Sequence, residues 1–222
     1  MRTEVRYRVA IAGAELRMLV LAPQPDGCVG IDLDSGAFVR AIYPTDSERD
    51  GGGEPLAAFD VTSAPIGAPL DPPDTVRPEA VALAGAPERI GSLTVRRAER
   101  YLQALRHPAQ GPLLGFGGVT VPYWTIEGDR PSLAIVEPTE GPLILAGPGG
   151  YECRFGWNGA VHQLPLGDRR LAEELFRLRR RRSSPRELTR ILGHRPGRLL
   201  VVVAGPTDGH CTKQVAALLP GR

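Results

Sequence analysis

Cysteine is scarce in this sequence: Cys28, Cys153 and Cys211 are odd in number and far apart. A disulfide framework needs paired cysteines, so their scarcity predicts a reducing compartment and with it a cytoplasmic location. The three cysteines and four histidines also lack the C-x2-C and H-x3-H spacings of zinc ligands. The sequence therefore predicts no metal site.

Long apolar runs are missing as well. No stretch approaches the ~20 consecutive apolar residues that cross a bilayer. The first residues, MRTEVRYRVAIAG, have charges among their apolar positions, whereas a signal peptide has an uninterrupted apolar core. We expect a soluble protein with no membrane partner.

Aromatic residues make up 5% of the chain, and lysine occurs once, at Lys213. Nearly all basic residues are therefore arginine, a bias that the codons of a GC-rich genome also produce. The formal net charge is +2, whereas a dedicated nucleic-acid coat protein is normally strongly basic. These values argue against a protein that covers nucleic acid with its whole surface.

Recognisable catalytic motifs are also lacking. There is no G-x-S-x-G, and the glycine-rich stretches at 115–118 and 147–150 lack the GK[ST] ending of a phosphate-binding loop. Asp32 and Asp34 share one face of a predicted strand, but no third acid, histidine or lysine lies near them in sequence. We therefore predict a non-catalytic protein that holds no cofactor.

Glycine and proline are abundant, at 27 and 22 residues, and they separate short apolar runs. Glycine and proline at this spacing favour short strands joined by turns over long helices. Apolar residues at 95, 98, 102 and 105 predict a helix that ends before Pro108. In the first half, the apolar pattern predicts strands at 5–11, 16–21, 28–33, 38–42 and 56–61, with a glycine-rich loop at 46–53 and a short apolar run at 80–83.

The second half has the same character, and the predicted fold class is all-β. Asn158-Gly159 predicts a type I′ hairpin turn. One helix is predicted to begin near Asp168, and another to open with the capping box at 184–187 and end at Gly193. Two small barrels or a single sandwich with helical excursions fit this pattern. The predicted strands lie at 122–126, 132–136, 143–145, 151–157, 161–164, 199–203 and 214–219.

Three segments together resemble bacterial proteins of the dual-OB domain type, in which two oligonucleotide-binding-fold barrels are fused. The segments are GIDLD to FVR (30–40), YECRFGWNGAVHQL (151–164) and the stretch 199–219 with its CTK. The resemblance implies a fused pair of barrels. We therefore predict two closely packed OB-like barrels at 1–92 and 113–222, with a helical connector at 93–112 and a helical insertion at 168–193. The positions that match the pattern best are Arg40, Phe155, Trp157 and Lys213.

An arginine-rich stretch is the strongest chemical signal. Eleven arginines and three glutamates lie between positions 169 and 198, so the remainder of the chain carries a net negative charge. Guanidinium groups bind phosphates through bidentate contacts. The alternative is a solvated helix face, or a protein contact, above buried leucines. The arginines predicted to contact phosphate are Arg179, Arg180, Arg181, Arg182, Arg186 and Arg190.

Aromatic residues alternate along one predicted strand, at Tyr151, Phe155 and Trp157, and so face the same side. Such a stripe is either a platform on which single-stranded bases stack or a part of the core. Tyr123 and Trp124 are neighbours in another predicted strand, so they should point to opposite faces, with at most one of them exposed.

These patterns predict a non-catalytic binding module whose ligand is single-stranded or double-stranded nucleic acid. Its phosphates would contact the arginines, and the strand of Phe155 and Trp157 would supply limited stacking. The alternative is a scaffold module whose basic helices dock on an acidic protein partner.

Overall fold

The computed structural model describes residues 11–44, 56–126 and 132–221. Within these ranges the chain forms fourteen β-strands and three α-helices, so it is an all-β protein, as predicted. The chain divides into two compact units. The first contains the described residues up to Leu105 together with Ser132, and the second contains those from Arg106 to Ile126 and from Leu133 onward.

The first unit is built on a six-stranded sheet in the order β5-β3-β2-β1-β4-β6. Neighbouring strands are antiparallel except β3 and β5, which run parallel. Its core consists of apolar side chains on β1 to β5 and beside them, such as Leu16, Met18 and Val39. The elements are β1 Glu15–Gln24, β2 Gly27–Asp32, β3 Phe38–Ile42, β4 Asp60–Pro65, β5 Ala80–Ala82, β6 Glu88–Ser92 and α1 Val95–Ala104.

The hairpin of β2 and β3 follows from the polar turn between them. Ile31 pairs with Phe38 across the hairpin. The Asp32 carboxylate accepts hydrogen bonds from the backbone N–H groups of Asp34 (3.3 Å) and Ser35 (3.2 Å). Short polar side chains favour turns because they bond to the nearby backbone in this way. The predicted hairpin is confirmed, and Asp32 holds its turn.

One prediction for the first unit needs correction, and one of its strands was not predicted. The strand predicted at 56–61 begins only at Asp60, because Phe59 has a φ of +73° and the Asp60 carboxylate accepts a hydrogen bond from Ala57 N–H (2.8 Å). Strand β6 was not predicted. All five of its residues are exposed, so its sequence lacks the alternation of apolar and polar residues that indicates a half-buried strand. Apart from Ile11, the predicted strand at 5–11 lies outside the described residues, as does the loop at 46–53.

The second unit contains two four-stranded antiparallel sheets, in the orders β11-β10-β9-β12 and β7-β14-β13-β8. Asn158 and Gly159 both have positive φ, at 50° and 73°, which is the conformation of the predicted type I′ turn. The strands are β7 Thr120–Pro122, β8 Leu133–Val136, β9 Glu140–Gly147, β10 Gly150–Trp157, β11 Ala160–Pro165, β12 Arg182–Ser183, β13 Pro196–Thr207 and β14 His210–Pro220.

Helices α2 (Arg169–Arg177) and α3 (Pro185–Leu192) begin at the predicted caps. The Asp168 carboxylate accepts a hydrogen bond from the backbone of α2 at Leu171 (3.0 Å). At α3 the Ser184 hydroxyl accepts from Glu187 N–H (3.4 Å), and the Glu187 carboxylate accepts from Ser184 N–H (2.9 Å). Both helix starts are therefore confirmed, since each cap satisfies N–H groups that have no partner within the helix.

Replacing Ser184 by alanine should lower the free energy of unfolding by about 1 kcal/mol, because the hydroxyl that caps α3 is lost. Urea denaturation of the wild-type protein and the Ser184→Ala variant measures the difference. Ser184→Thr keeps a capping hydroxyl and should retain most of the stability. Equal stability of the alanine and threonine variants would contradict the role of the capping box.

Candidate functional site

Residues 179–182 link α2 to α3, and all four of their side chains are exposed. We call these four residues the arginine connector. The sequence had placed them on a helix pair, but they lie between the helices. The last of them, Arg182, belongs to β12, which pairs with β9 at the edge of the sheet, opposite Leu145.

The backbone of the arginine connector is held in place by hydrogen bonds. The Tyr151 hydroxyl donates to the carbonyl of Arg180 (2.9 Å), and Ala146 N–H donates to the carbonyl of Arg181 (2.8 Å). Arg179 adopts the left-handed conformation, with a φ of +51°. A surface whose backbone is already ordered binds a ligand at a smaller cost in conformational entropy.

Carboxylates neutralise only part of this basic surface. Arg177 pairs with Glu174 (Nη2–Oε1 2.6 Å), and Arg180 pairs with Glu187 (Nη1–Oε1 3.4 Å). The hydrogen bonds from Arg177 lower the pKa of the Glu174 carboxyl. Within the described ranges, no ion pair involves the other arginines that the sequence predicted to contact phosphate, which are Arg179, Arg181, Arg182, Arg186 and Arg190.

Arg40 does not contribute to this surface. It lies on β3 in the first unit and is buried, and its Nε donates to Oε1 of Glu79 (3.1 Å). The hydroxyl of Ser132 donates to the same carboxylate oxygen. Removing one member of such a buried pair leaves an uncompensated buried charge, so the pair has a structural role. Arg40 was predicted to bind nucleic acid. Because it is buried and paired with Glu79, it is not part of the candidate interface.

Lys213 is buried as well, in the second unit, with 3% of its surface exposed. Its Nζ donates to the carbonyl oxygen of Phe116 (2.6 Å) and lies 4.1 Å from the centroid of the Phe116 ring. In the part of the chain that the structure describes, no carboxylate forms an ion pair with it. Burial lowers the pKa of the Lys213 ammonium to about 8. The ammonium is thus directed into the protein rather than toward a ligand.

The buried ammonium of Lys213 should make stability depend on pH. The folded protein releases this proton near pH 8, whereas an unfolded lysine keeps it up to a pH of about 10.4. Between these values the unfolded chain binds more protons, so this group's contribution to the free energy of unfolding rises with pH. Lys213→Met should therefore gain stability over the wild type below pH 8, and that gain should shrink by on the order of 3 kcal/mol by pH ~10.5.

Urea denaturation of both proteins at the two ends of this pH range measures the change. The buried Cys28 and Cys153 thiols have a raised pKa of about 12 because of burial. Both proteins contain these thiols, so their titration cancels in the difference. A stability difference that does not vary with pH would show that Lys213 has an ordinary pKa.

Phe155 and Trp157 on β10 are both buried, so the core alternative applies to them. The ring of Phe155 stacks on His162 with 5.3 Å between centroids, and Trp157 meets the edge of His107 at 5.2 Å. Burial is also the largest cause of the lowered pKa of both histidines. These rings are therefore not available to stack on bases.

Among the described residues, Tyr123 and Trp124 both reach the surface, whereas the sequence predicted that at most one of them would be exposed. The strand predicted at 122–126 is wrong: β7 ends at Pro122, and a 3₁₀ turn, Tyr123–Thr125, follows. Because a turn does not alternate its faces, Tyr123 and Trp124 are both exposed, with 5.4 Å between their ring centroids. The proline that stops β7 was the available signal.

Phe176, on α2, has 79% of its surface exposed although it is large and apolar. It falls outside the stripe of Leu171 and Leu175, and this offset was the sequence signal for its exposure. Phe176 is one of the residues that line an open depression of about 440 Å³. The other residues around the depression are Gly149, Gly150, Tyr151, Pro165, Leu166, Ala172 and Glu173.

Metal ligands do not cluster in the described ranges, where no three His, Cys, Asp or Glu side chains come together. Cys28, Cys153 and Cys211 are buried thiols. None of the helices in the described part of the chain combines the length and the apolar character that crossing a bilayer requires.

Comparison of this chain with protein-family models, with curated proteins and with solved structures finds no match. The structure itself defines the class: an all-β chain of two compact units, the second of which carries an exposed, arginine-rich surface. The pair of OB-like barrels implied by the resemblance stays a prediction.

Proposed function

We propose that this protein is a non-catalytic module that binds nucleic acid through the arginine connector and the arginines of α3. The observation that carries the proposal is the set of exposed arginines on this surface for which the described residues provide no ion-pair partner. Guanidinium groups bind phosphate oxygens bidentately, and each contact releases counterions from the nucleic acid.

A single strand suits this surface better than a duplex. The exposed ring of Phe176 lies three residues before the arginine connector, and an unpaired base can stack on such a ring. Bases in a duplex already stack on one another and are not free to do so. We therefore propose that the strand's phosphates lie along the arginine connector and that one of its bases packs on Phe176.

Fluorescence anisotropy tests the proposal with labelled single-stranded and double-stranded oligonucleotides of about 12 nucleotides, within the range of known single-strand site sizes. The single strand should bind more tightly, and the logarithm of its affinity should fall linearly with the logarithm of the salt concentration. Absence of binding to both at micromolar protein and low salt would refute the proposal.

A second candidate ligand is an acidic protein partner. Exposed apolar side chains, Phe176 and Leu178, lie beside the arginines, and interfaces between proteins are enriched in aromatic residues and arginine. A labelled glutamate-rich peptide in the same anisotropy assay distinguishes the two candidates. Binding of the peptide without binding of any oligonucleotide would favour the protein partner.

A further inference from the structure

The residues that line the depression beside Phe176 include an acidic one that a phosphate-binding surface does not explain. Glu173 is part of its lining, and its side chain is exposed. No ion pair involves Glu173 within the described residues, although Arg177 lies one turn further along the same helix. A carboxylate repels phosphate and can only accept hydrogen bonds. The ligand group that fits beside it must therefore carry N–H or O–H donors.

We propose that this depression is a base pocket with a preference for guanine. The inference rests on the proposed function, because the strand on the arginine connector would bring the base to the pocket. The Watson–Crick edge of guanine has two adjacent donors, N1–H and the N2 amino group. They are arranged like two N–H groups of a guanidinium, so the Glu173 carboxylate accepts both in the bidentate geometry of an arginine–carboxylate pair.

The other bases match the carboxylate less well. Cytosine and adenine each have one amino group beside a ring nitrogen, and the lone pair of that nitrogen repels the second carboxylate oxygen. Thymine and uracil have a single N–H between two carbonyl oxygens, which repel the carboxylate on both sides. The expected order of affinity is therefore guanine first, cytosine and adenine next, and thymine or uracil last.

The size and position of the depression also suit a nucleotide. The depression has a volume of about 440 Å³ and is open to solvent, and the exposed Phe176 is one of the residues that line it. Tyr151 also lines the depression, and its hydroxyl donates a hydrogen bond to the carbonyl of Arg180 (2.9 Å). This hydrogen bond joins a residue of the depression to the arginine connector, so a bound strand can place a base at the depression and its phosphates on the connector.

Anisotropy titrations with oligothymidylate, and with the same strand carrying one central guanine, test the preference. The wild-type protein should bind the guanine-containing strand about tenfold more tightly, in the range that a bidentate base contact provides. Hypoxanthine in place of guanine lacks the N2 amino group and should lose most of this gain. Glu173→Gln should remove the preference while the salt dependence of oligothymidylate binding stays unchanged.

The matched control is Glu174→Gln, which removes the neighbouring carboxylate that pairs with Arg177 and does not line the pocket. This variant should keep the guanine preference, whatever its effect on overall affinity. Equal affinity of the wild type for the two strands, or a preference that survives in Glu173→Gln, would overturn the base pocket and leave the proposed function standing. Failure to bind either strand would instead refute the proposed function and the pocket with it.

Discussion

Replacing Arg179, Arg181 and Arg182 by glutamine should weaken the binding of single-stranded oligonucleotides about tenfold or more at low salt. These arginines are exposed, and in the described part of the chain none of them forms an ion pair. Each contact with a single strand contributes about 0.7 to the salt slope, so the slope should flatten by about 2. Anisotropy titrations over a series of salt concentrations measure both effects. The loss should not depend on base sequence, because phosphate contacts position a protein without specifying bases.

The matched control replaces Arg96, Arg97 and Arg100 by glutamine on α1 of the first unit. These side chains are also exposed, so the control removes the same charge from a different surface. It should leave the salt slope and the affinity close to those of the wild type. An equal loss in both triple variants would show that binding depends on total charge and not on the arginine connector.

Replacing Trp157 by alanine should lower the free energy of unfolding by ~3–5 kcal/mol, as truncation of a large buried ring usually does. Trp157 is 5% exposed, and its ring packs against His107 and His162. Urea denaturation measures the loss. Under conditions where the variant is folded, its affinity for oligonucleotides should equal that of the wild type, because the buried ring is not part of the proposed interface.

Trp124→Ala is the control for this prediction. Trp124 is 61% exposed, and substitutions at such positions usually change stability by less than about 0.5 kcal/mol. The two tryptophans should therefore differ several-fold in their effect on stability. If the two alanine variants are equally stable, the assignment of Trp157 to the core is wrong.

Local features of this protein were predictable because their physical causes lie within a few residues of one another. Asp32 bonds to the next turn residues of its hairpin, and Asn158-Gly159 supplies the two positive φ angles of another. The Ser184 capping box joins residues three positions apart. Short-range hydrogen bonds and backbone preferences thus determine these turns and helix ends from the sequence alone.

The surface arginines were partly predictable. A dense run such as 179–182 cannot be buried together, since each buried guanidinium would need its own partner. The sequence therefore indicated a basic surface, although not its position between two helices. The depression next to it was not predictable, because residues from α2 and from the turn between β9 and β10 line it together.

Burial of individual charged and aromatic residues was decided only by the tertiary structure. Arg40 finds its carboxylate 39 positions away at Glu79, and Lys213 finds its carbonyl 97 positions away at Phe116. A lone arginine or lysine in a strand has the same local pattern whether it faces solvent or a distant partner. The sequence by itself determined the all-β class, the hairpins and the helix caps. The burial of Arg40, Lys213 and Trp157 depended on contacts with distant segments, and no local pattern encodes those contacts.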